Sequence, residues 1–160
     1  MYVLTIVHHV YGAIVFDTPW RLHAAVLGAA GIAATLLLTR EWTRLGPPVL
    51  GRATTPLLVG LTLVLAAGLI GVFEGGYNHA FKLLLFFGGA APGTMHRLFP
   101  PPTYELPSDV LFEVTGVLQF VAGLLAARAS VALWRGRPGS AALHAGVVPA
   151  PGAGHQGVTR

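Results

Sequence analysis

The segment with the greatest capacity for chemistry runs from Phe73 to Lys82 and reads FEGGYNHAFK. An acid, an imidazole and an ammonium group (Glu74, His79 and Lys82) fall within nine positions, between two apolar runs. Charged groups are costly at membrane depth and are kept where they face protein or trapped water. The pair Gly75-Gly76 permits a sharp turn. We therefore expect a helix to end here and fold back, holding the three polar groups near one membrane surface; an ordinary polar loop is the alternative.

Histidines and carboxylates elsewhere in the chain can complete a metal site with this segment. Such ligands suit zinc, copper(II), iron or manganese, and a site between helices draws ligands from several of them. Copper(I) is disfavoured because the chain has no cysteine and only two methionines, whereas haem held by two histidines stays open. No spacing matches an established metal motif. The predicted ligands are His23, Glu74, His79 and Glu113, with His8 or His96 as an extra one.

Two adjacent histidines lie in the first apolar segment. On a helix, His8 shares one face with Tyr11, Gly12 and Val15. We therefore expect one of His8 and His9 to point into the protein, but not both.

The composition is that of an integral membrane protein. The chain has 160 residues, of which 54% are hydrophobic and 10% are charged, whereas a soluble domain carries about 25% charged residues. The absence of cysteine excludes disulfides, cysteine-ligated zinc and iron–sulfur clusters. Nucleic acid is excluded as a partner because the basic residues form no cluster interleaved with aromatics. The expected partners are the lipid bilayer and either other membrane subunits or further copies of this chain.

Apolar segments define the expected fold class, which is an all-α integral membrane protein. Three segments are long enough to span a bilayer, at about 20–39, 56–73 and 109–134. Residues 1–16 are predicted to form a short fourth span, with a re-entrant or interfacial helix as the alternative. Residues 77–90 are predicted to form a re-entrant or interfacial helix on the outer side. The transmembrane helical domain is therefore placed at 1–135. The Gly/Pro/Ala-rich residues 136–160 are predicted to be a disordered cytoplasmic tail.

The last predicted span carries a regular seam of acidic and small residues. Its positions follow a 4-3-4-3-4 spacing that keeps one face of a helix in contact with its neighbours. The seam consists of Asp109, Glu113, Gly116, Phe120, Gly123 and Ala127.

Charge asymmetry predicts the orientation of the bundle. Seven of the ten Lys and Arg residues fall on one side of the predicted spans, and basic residues favour the cytoplasmic side. The 40–55 loop and the C-terminus are therefore expected in the cytoplasm of a cell with a bacterial-type plasma (inner) membrane. Five of the six acids and five of the seven histidines fall on the outer face.

Two functional hypotheses follow from this polar outer half. In the first, an outward-facing His/carboxylate pocket binds a metal or cofactor, either for the protein's own chemistry or within a larger membrane complex. In the second, the chain is a non-catalytic accessory subunit whose polar residues form internal ion pairs. A transmembrane proton relay is disfavoured because no second acid lies deeper in any span, and the motifs of soluble enzymes are absent from the sequence.

Overall fold

The computed structural model describes residues 1–45, 51–101 and 103–135. In these ranges the chain is all-helical and contains no strand, as predicted. The predicted tail, residues 136–160, lies outside the described residues. The helices are α1 (Tyr2–Val15), a short 3₁₀ turn (Pro19–Arg21), α2 (Leu22–Leu45), α3 in three consecutive segments (Gly51–Leu61, Thr62–Phe81 and Lys82–Phe87), α4 (Pro92–Leu98) and α5 (Val110–Arg135).

Three helical stretches are long and apolar enough to cross a membrane. They are Pro19–Glu41, Thr54–Phe87 and Val110–Arg135, and they contain the three segments that the sequence predicted. Helix α1 has 14 residues, fewer than the 17–25 or so that a spanning helix needs. It packs against both α2 and α5.

The predicted turn at Gly75-Gly76 is not formed. Helix α3 continues from residue 51 to residue 87, and its middle segment has the wide turns of a π-helix. The glycine serves close packing instead, because a Cβ atom on Gly75 would lie 2.9 Å from two backbone atoms of α5. The separate re-entrant or interfacial helix expected over 77–90 is not confirmed, because residues 77–87 are the last part of α3. Glycine has no side chain to hold two helices apart. Gly75 therefore allows α3 and α5 to pack closely and does not form a turn.

Small residues form the seam between α3 and α5. A Cβ atom on Gly71 would lie 2.6 Å from Cα of Gly123, so the two backbones are in direct contact. Gly116 and Gly123 are buried as predicted, but Gln119 rather than Phe120 is buried between them. The Phe120 ring is displaced to the side of the seam because a phenyl group does not fit between touching backbones.

The interior of the bundle is polar and its outer surface is apolar. Among the described residues, thirteen polar or charged side chains are buried, against eight apolar ones. The outward-facing apolar side chains include Ile14, Val64, Leu84, Phe87 and Val110, each at least 73% exposed. A water-soluble protein buries its aliphatic side chains and leaves charged ones outside. This inverted distribution suits a protein whose surroundings are hydrocarbon.

Candidate metal centre

Glu74 is the hub of a cluster that it forms with His8, His9 and His79, here called the Glu74 cluster. Its Oε1 atom lies 3.7 Å from Nε2 of His8, and 3.6 Å from Nε2 of both His9 and His79. These separations exceed the hydrogen-bond length of about 2.7–3.2 Å. They approach the distance between two ligands of one tetrahedral ion, about 3.4 Å for metal–ligand bonds of about 2.1 Å.

Part of the Glu74 cluster already has the spacing of a metal site. The ligand atoms of His8, His9 and Glu74 all lie within 4.8 Å of one another, so this trio can hold a metal ion. His79 adds a third imidazole that faces the same carboxylate oxygen.

Both adjacent histidines point into the protein, contrary to the expectation for α1. His8 is fully buried and His9 is 7% exposed. The reason is that α1 packs against two helices at once. His8 meets Thr115 and Phe112 of α5, whereas His9 faces a cavity bordered by α2. Two neighbouring positions on a helix can both be buried when protein covers two sides of it.

The hydrogen bonds of His8 fix which of its nitrogens can bind a metal. The Thr115 hydroxyl lies 2.7 Å from the carbonyl oxygen of Leu111 and 3.0 Å from that of Phe112. A carbonyl oxygen can only accept, so Thr115 donates to this pair and accepts a hydrogen from Nδ1 of His8 at 2.9 Å. Nε2 of a neutral His8 therefore carries a lone pair; it is buried and has no hydrogen-bond partner among the described residues.

His79 is oriented in the same way by Glu113. Its Nδ1 donates to Oε2 of Glu113 at 2.8 Å, and Oε1 of Glu113 accepts from Nζ of Lys82 at 2.9 Å. The ammonium group holds the carboxylate in its ionised, accepting form. Carboxylates behind metal-bound histidines commonly play this role and leave the far nitrogen free to bind. Glu113 and Lys82 thus stand behind His79 and direct its Nε2 towards Glu74.

Phe112 holds two of the imidazoles in place. Its ring stacks on His8 with centroids 4.2 Å apart and meets the edge of His79 at 5.0 Å. Phe112 is only 2% exposed, and Gly12 of α1 makes room for its ring. A packed ring that restricts both histidines favours a preorganised site.

Among the described residues, no lysine or arginine forms an ion pair with Glu74. Its Oε2 accepts a hydrogen bond from the Asn78 amide at 2.7 Å. Lys82 is bonded to Glu113, and the guanidinium of Arg21 lies 3.9 Å from Glu105. With all three histidines neutral, one negative charge remains at the centre of the Glu74 cluster. A buried charge requires a counterion, which a metal ion or a protonated histidine can supply.

The connector between α4 and α5 is tied to the end of α3 that carries the Glu74 cluster. The Tyr77 hydroxyl donates to the carbonyl oxygen of Leu98 at 3.0 Å, and Nζ of Lys82 donates to that of Glu105 at 2.9 Å. Phe99, which is buried, packs against Tyr77. These contacts fix the connector against the bundle beside the cluster.

The four predicted ligands occupy three different places. Glu74 and His79 belong to the cluster, and Glu113 lies behind His79. His23 is exposed and donates from Nδ1 to the carbonyl oxygen of Trp20 at 2.5 Å, yet it lines one cavity together with His9 and Glu74. The joint ligation of one ion by these four residues stays a prediction.

The sequence did not predict that the two adjacent histidines, His8 and His9, both face Glu74. His8 was expected only as an extra ligand, and His9 was not expected at all. The signal that could have found both is a pair of imidazoles in an otherwise apolar helix. The other extra candidate, His96, is exposed on α4.

No protein-family model, curated protein or solved structure matches this chain. The functional interpretation therefore follows from the geometry of the Glu74 cluster.

Removing Lys82 should destabilise the fold by leaving Glu113 with an uncompensated charge. We expect Lys82→Met to lower the free energy of unfolding by about 3–5 kcal/mol, the usual cost of breaking a buried ion pair. The measurement is denaturant titration in detergent micelles, followed by helical circular dichroism. The double variant Lys82→Met/Glu113→Gln should recover much of the loss, since no buried charge is then left alone. A single variant as stable as the parent would show that the pair contributes nothing.

Proposed function

We propose that this chain is a small membrane protein that binds one divalent transition-metal ion in the Glu74 cluster. The ligands are Nε2 of His8, His9 and His79, together with Oε1 of Glu74. The observation that carries the proposal is the convergence of three imidazole nitrogens on one carboxylate oxygen at 3.6–3.7 Å. Three nitrogens and one oxygen suit zinc, copper(II), iron(II) or manganese.

The hydrogen bonds behind the ligands support a metal over a proton. His8 and His79 each donate from Nδ1 to an acceptor at 2.8–2.9 Å, which directs a lone pair towards Glu74. A charge-assisted bond from a protonated imidazole to Glu74 would be about 2.7–2.9 Å long. The Nε2 to Oε1 distances are longer by most of an ångström, which leaves room for an ion between the atoms.

The apolar outer surface supports insertion in a lipid bilayer. Residues 54–87 form 34 helical residues, whereas about 20 cross the hydrocarbon core, so one end of α3 extends to the interface. Glu113 in the first turn of α5 and Lys82 near the end of α3 place the Glu74 cluster towards one end of the bundle. The distribution of basic residues supports a position for this end at the outer face of a plasma (inner) membrane.

An accessory-subunit role is the second candidate, and the His79–Glu113–Lys82 network favours it. These three groups can hold α3 and α5 in register without binding a metal. The exposed apolar side chains of the outer surface would be available for assembly with further membrane subunits. In this role a protonated His79 would bridge Glu74 and Glu113.

Metal content decides between the two roles. The protein should be purified in mild detergent from its native membrane and examined by elemental analysis. We expect close to one transition-metal ion per chain, and its loss in His8→Ala and His9→Ala. His96→Ala is the matched control and should keep the metal, because His96 is exposed on α4. A metal-free protein that also fails to take up added zinc, copper(II), iron(II) or manganese would rule out the proposed function.

Glu113 should influence metal affinity without being a ligand. We expect Glu113→Gln to weaken binding about 10–100-fold, the usual effect of removing a carboxylate that supports a metal-bound histidine. Competitive titration with a chelator of known affinity measures the change. Complete loss of binding in a folded variant would instead assign Glu113 as a direct ligand.

A further inference from the structure

A cavity of about 130 Å³ lies against the Glu74 cluster, between α1, α2 and α3. His9 and Glu74 form its wall on the cluster side, and His23 and Ala24 of α2 also line it. Thr5, Phe73, three leucines and an isoleucine complete the lining. Phe112 covers His8 and His79 but does not line this cavity, so His9 and Glu74 are the cluster members that border open space.

We propose that this cavity admits a small neutral ligand to the metal. This inference rests on the proposed metal site. The ligand has a nitrogen or oxygen lone pair for the ion and at least one hydrogen on that atom, as in a primary amine or an alcohol. Four protein ligands leave a fifth position that zinc and related ions can use. Among the described residues that line this cavity, His9 and Glu74 belong to the Glu74 cluster, so we assign that position to the cavity side of the metal.

The walls of the cavity select for neutral character and small size. Most of the lining is aliphatic or aromatic, so a neutral ligand loses less hydration on entry than a charged one. Liquid water occupies about 30 Å³ per molecule, so 130 Å³ holds a ligand of roughly four non-hydrogen atoms.

Two imidazoles supply hydrogen-bonding groups beside the fifth position. Nδ1 of His23 donates to the carbonyl oxygen of Trp20, so Nε2 of the neutral ring is an acceptor for an N–H or O–H group. Nδ1 of His9 is buried and has no hydrogen-bond partner among the described residues. His23 is therefore assigned a role as a ligand-binding residue of the cavity rather than a metal ligand.

The test uses the full-length protein loaded with cobalt(II), whose visible spectrum reports coordination. Methylamine and methanol are titrated at a fixed alkaline pH, with trimethylamine as the comparator that lacks a hydrogen on nitrogen. We expect saturable spectral changes with one or both small probes and at least about tenfold weaker binding of trimethylamine. The two probes distinguish a nitrogen donor from an oxygen donor.

Variants that fill the cavity test the entry of the ligand independently of metal binding. Ala24→Phe should abolish the response to both probes while the cobalt content stays at one per chain, and His23→Leu should weaken it about tenfold, the value of one hydrogen bond. If Ala24→Phe does not fold, Leu27→Trp provides the same test. An unchanged response with the cavity filled, or no response in cobalt-loaded protein, would overturn the inference alone. A protein that binds neither cobalt nor any of zinc, copper(II), iron(II) and manganese would overturn the proposed function.

Discussion

Glu74→Gln is expected to abolish metal binding while leaving the metal-free protein at least as stable as the parent. The carboxylate oxygen that faces three imidazoles becomes a neutral amide, so the dissociation constant should rise by more than the 10–100-fold or so that loss of a supporting residue causes. Stability should not fall, because the substitution removes a charge that is only 17% exposed and that pairs with no lysine or arginine among the described residues. Chelator competition measures affinity, and denaturant titration in micelles measures the free energy of unfolding.

The accessory-subunit role makes the opposite prediction for the same variant. If Glu74 pairs with a protonated His79, Glu74→Gln should destabilise the fold by about 3–5 kcal/mol, as expected for a broken buried ion pair. Glu41→Gln is the matched control, because the ion pair of Glu41 among the described residues is a 3.9 Å contact with Arg44 on the surface of α2. It should change neither metal affinity nor stability measurably. The pair of readouts therefore separates the two roles in one experiment.

Gly75→Ala is expected to destabilise the fold by forcing α3 and α5 apart. The added methyl group would collide with the backbone nitrogen of Phe120 and lie 2.9 Å from the backbone of Gln119. Backbone atoms cannot rotate away, so α3 and α5 must separate. We expect a loss of about 1–3 kcal/mol or more in the free energy of unfolding, as for other overpacked interiors. Because Glu74 is the preceding residue, metal affinity should fall as well.

Two other glycines of α3 provide graded controls for this variant. A Cβ atom on Gly76 would lie 3.1 Å from the side chain of Phe120 and 3.6 Å from the backbone oxygen of Gly71, which is an ordinary contact, and one on Gly60 would meet no atom of the described residues within 4 Å. Gly76→Ala should therefore cost less than Gly75→Ala. Gly60→Ala should be neutral or stabilising by up to about 1 kcal/mol, since alanine favours the helix. If Gly75→Ala lowers the free energy of unfolding no more than Gly60→Ala does, the close contact between Gly75 and the backbone of α5 is contradicted.

The sequence alone determined the class of the protein and the location of its long apolar helices. Hydrophobicity and length are local properties, so the three long helices and their all-α character follow from composition and from runs of apolar residues. The same local reasoning placed Glu74, His79 and Glu113 among the residues worth testing, because charged groups within apolar runs need a protein partner.

Only the tertiary structure decided how these polar groups meet. Gly75-Gly76 is compatible with either a turn or a close helix contact. The close contact forms because the backbone of α5 packs directly against Gly75. His8 and His9 lie about 100° apart around α1, so joint burial requires that protein cover α1 from two sides. The distances from three imidazoles to Oε1 of Glu74 depend on the relative placement of α1 and α3. No periodicity within either helix contains that information, because the site exists only where separate segments pack.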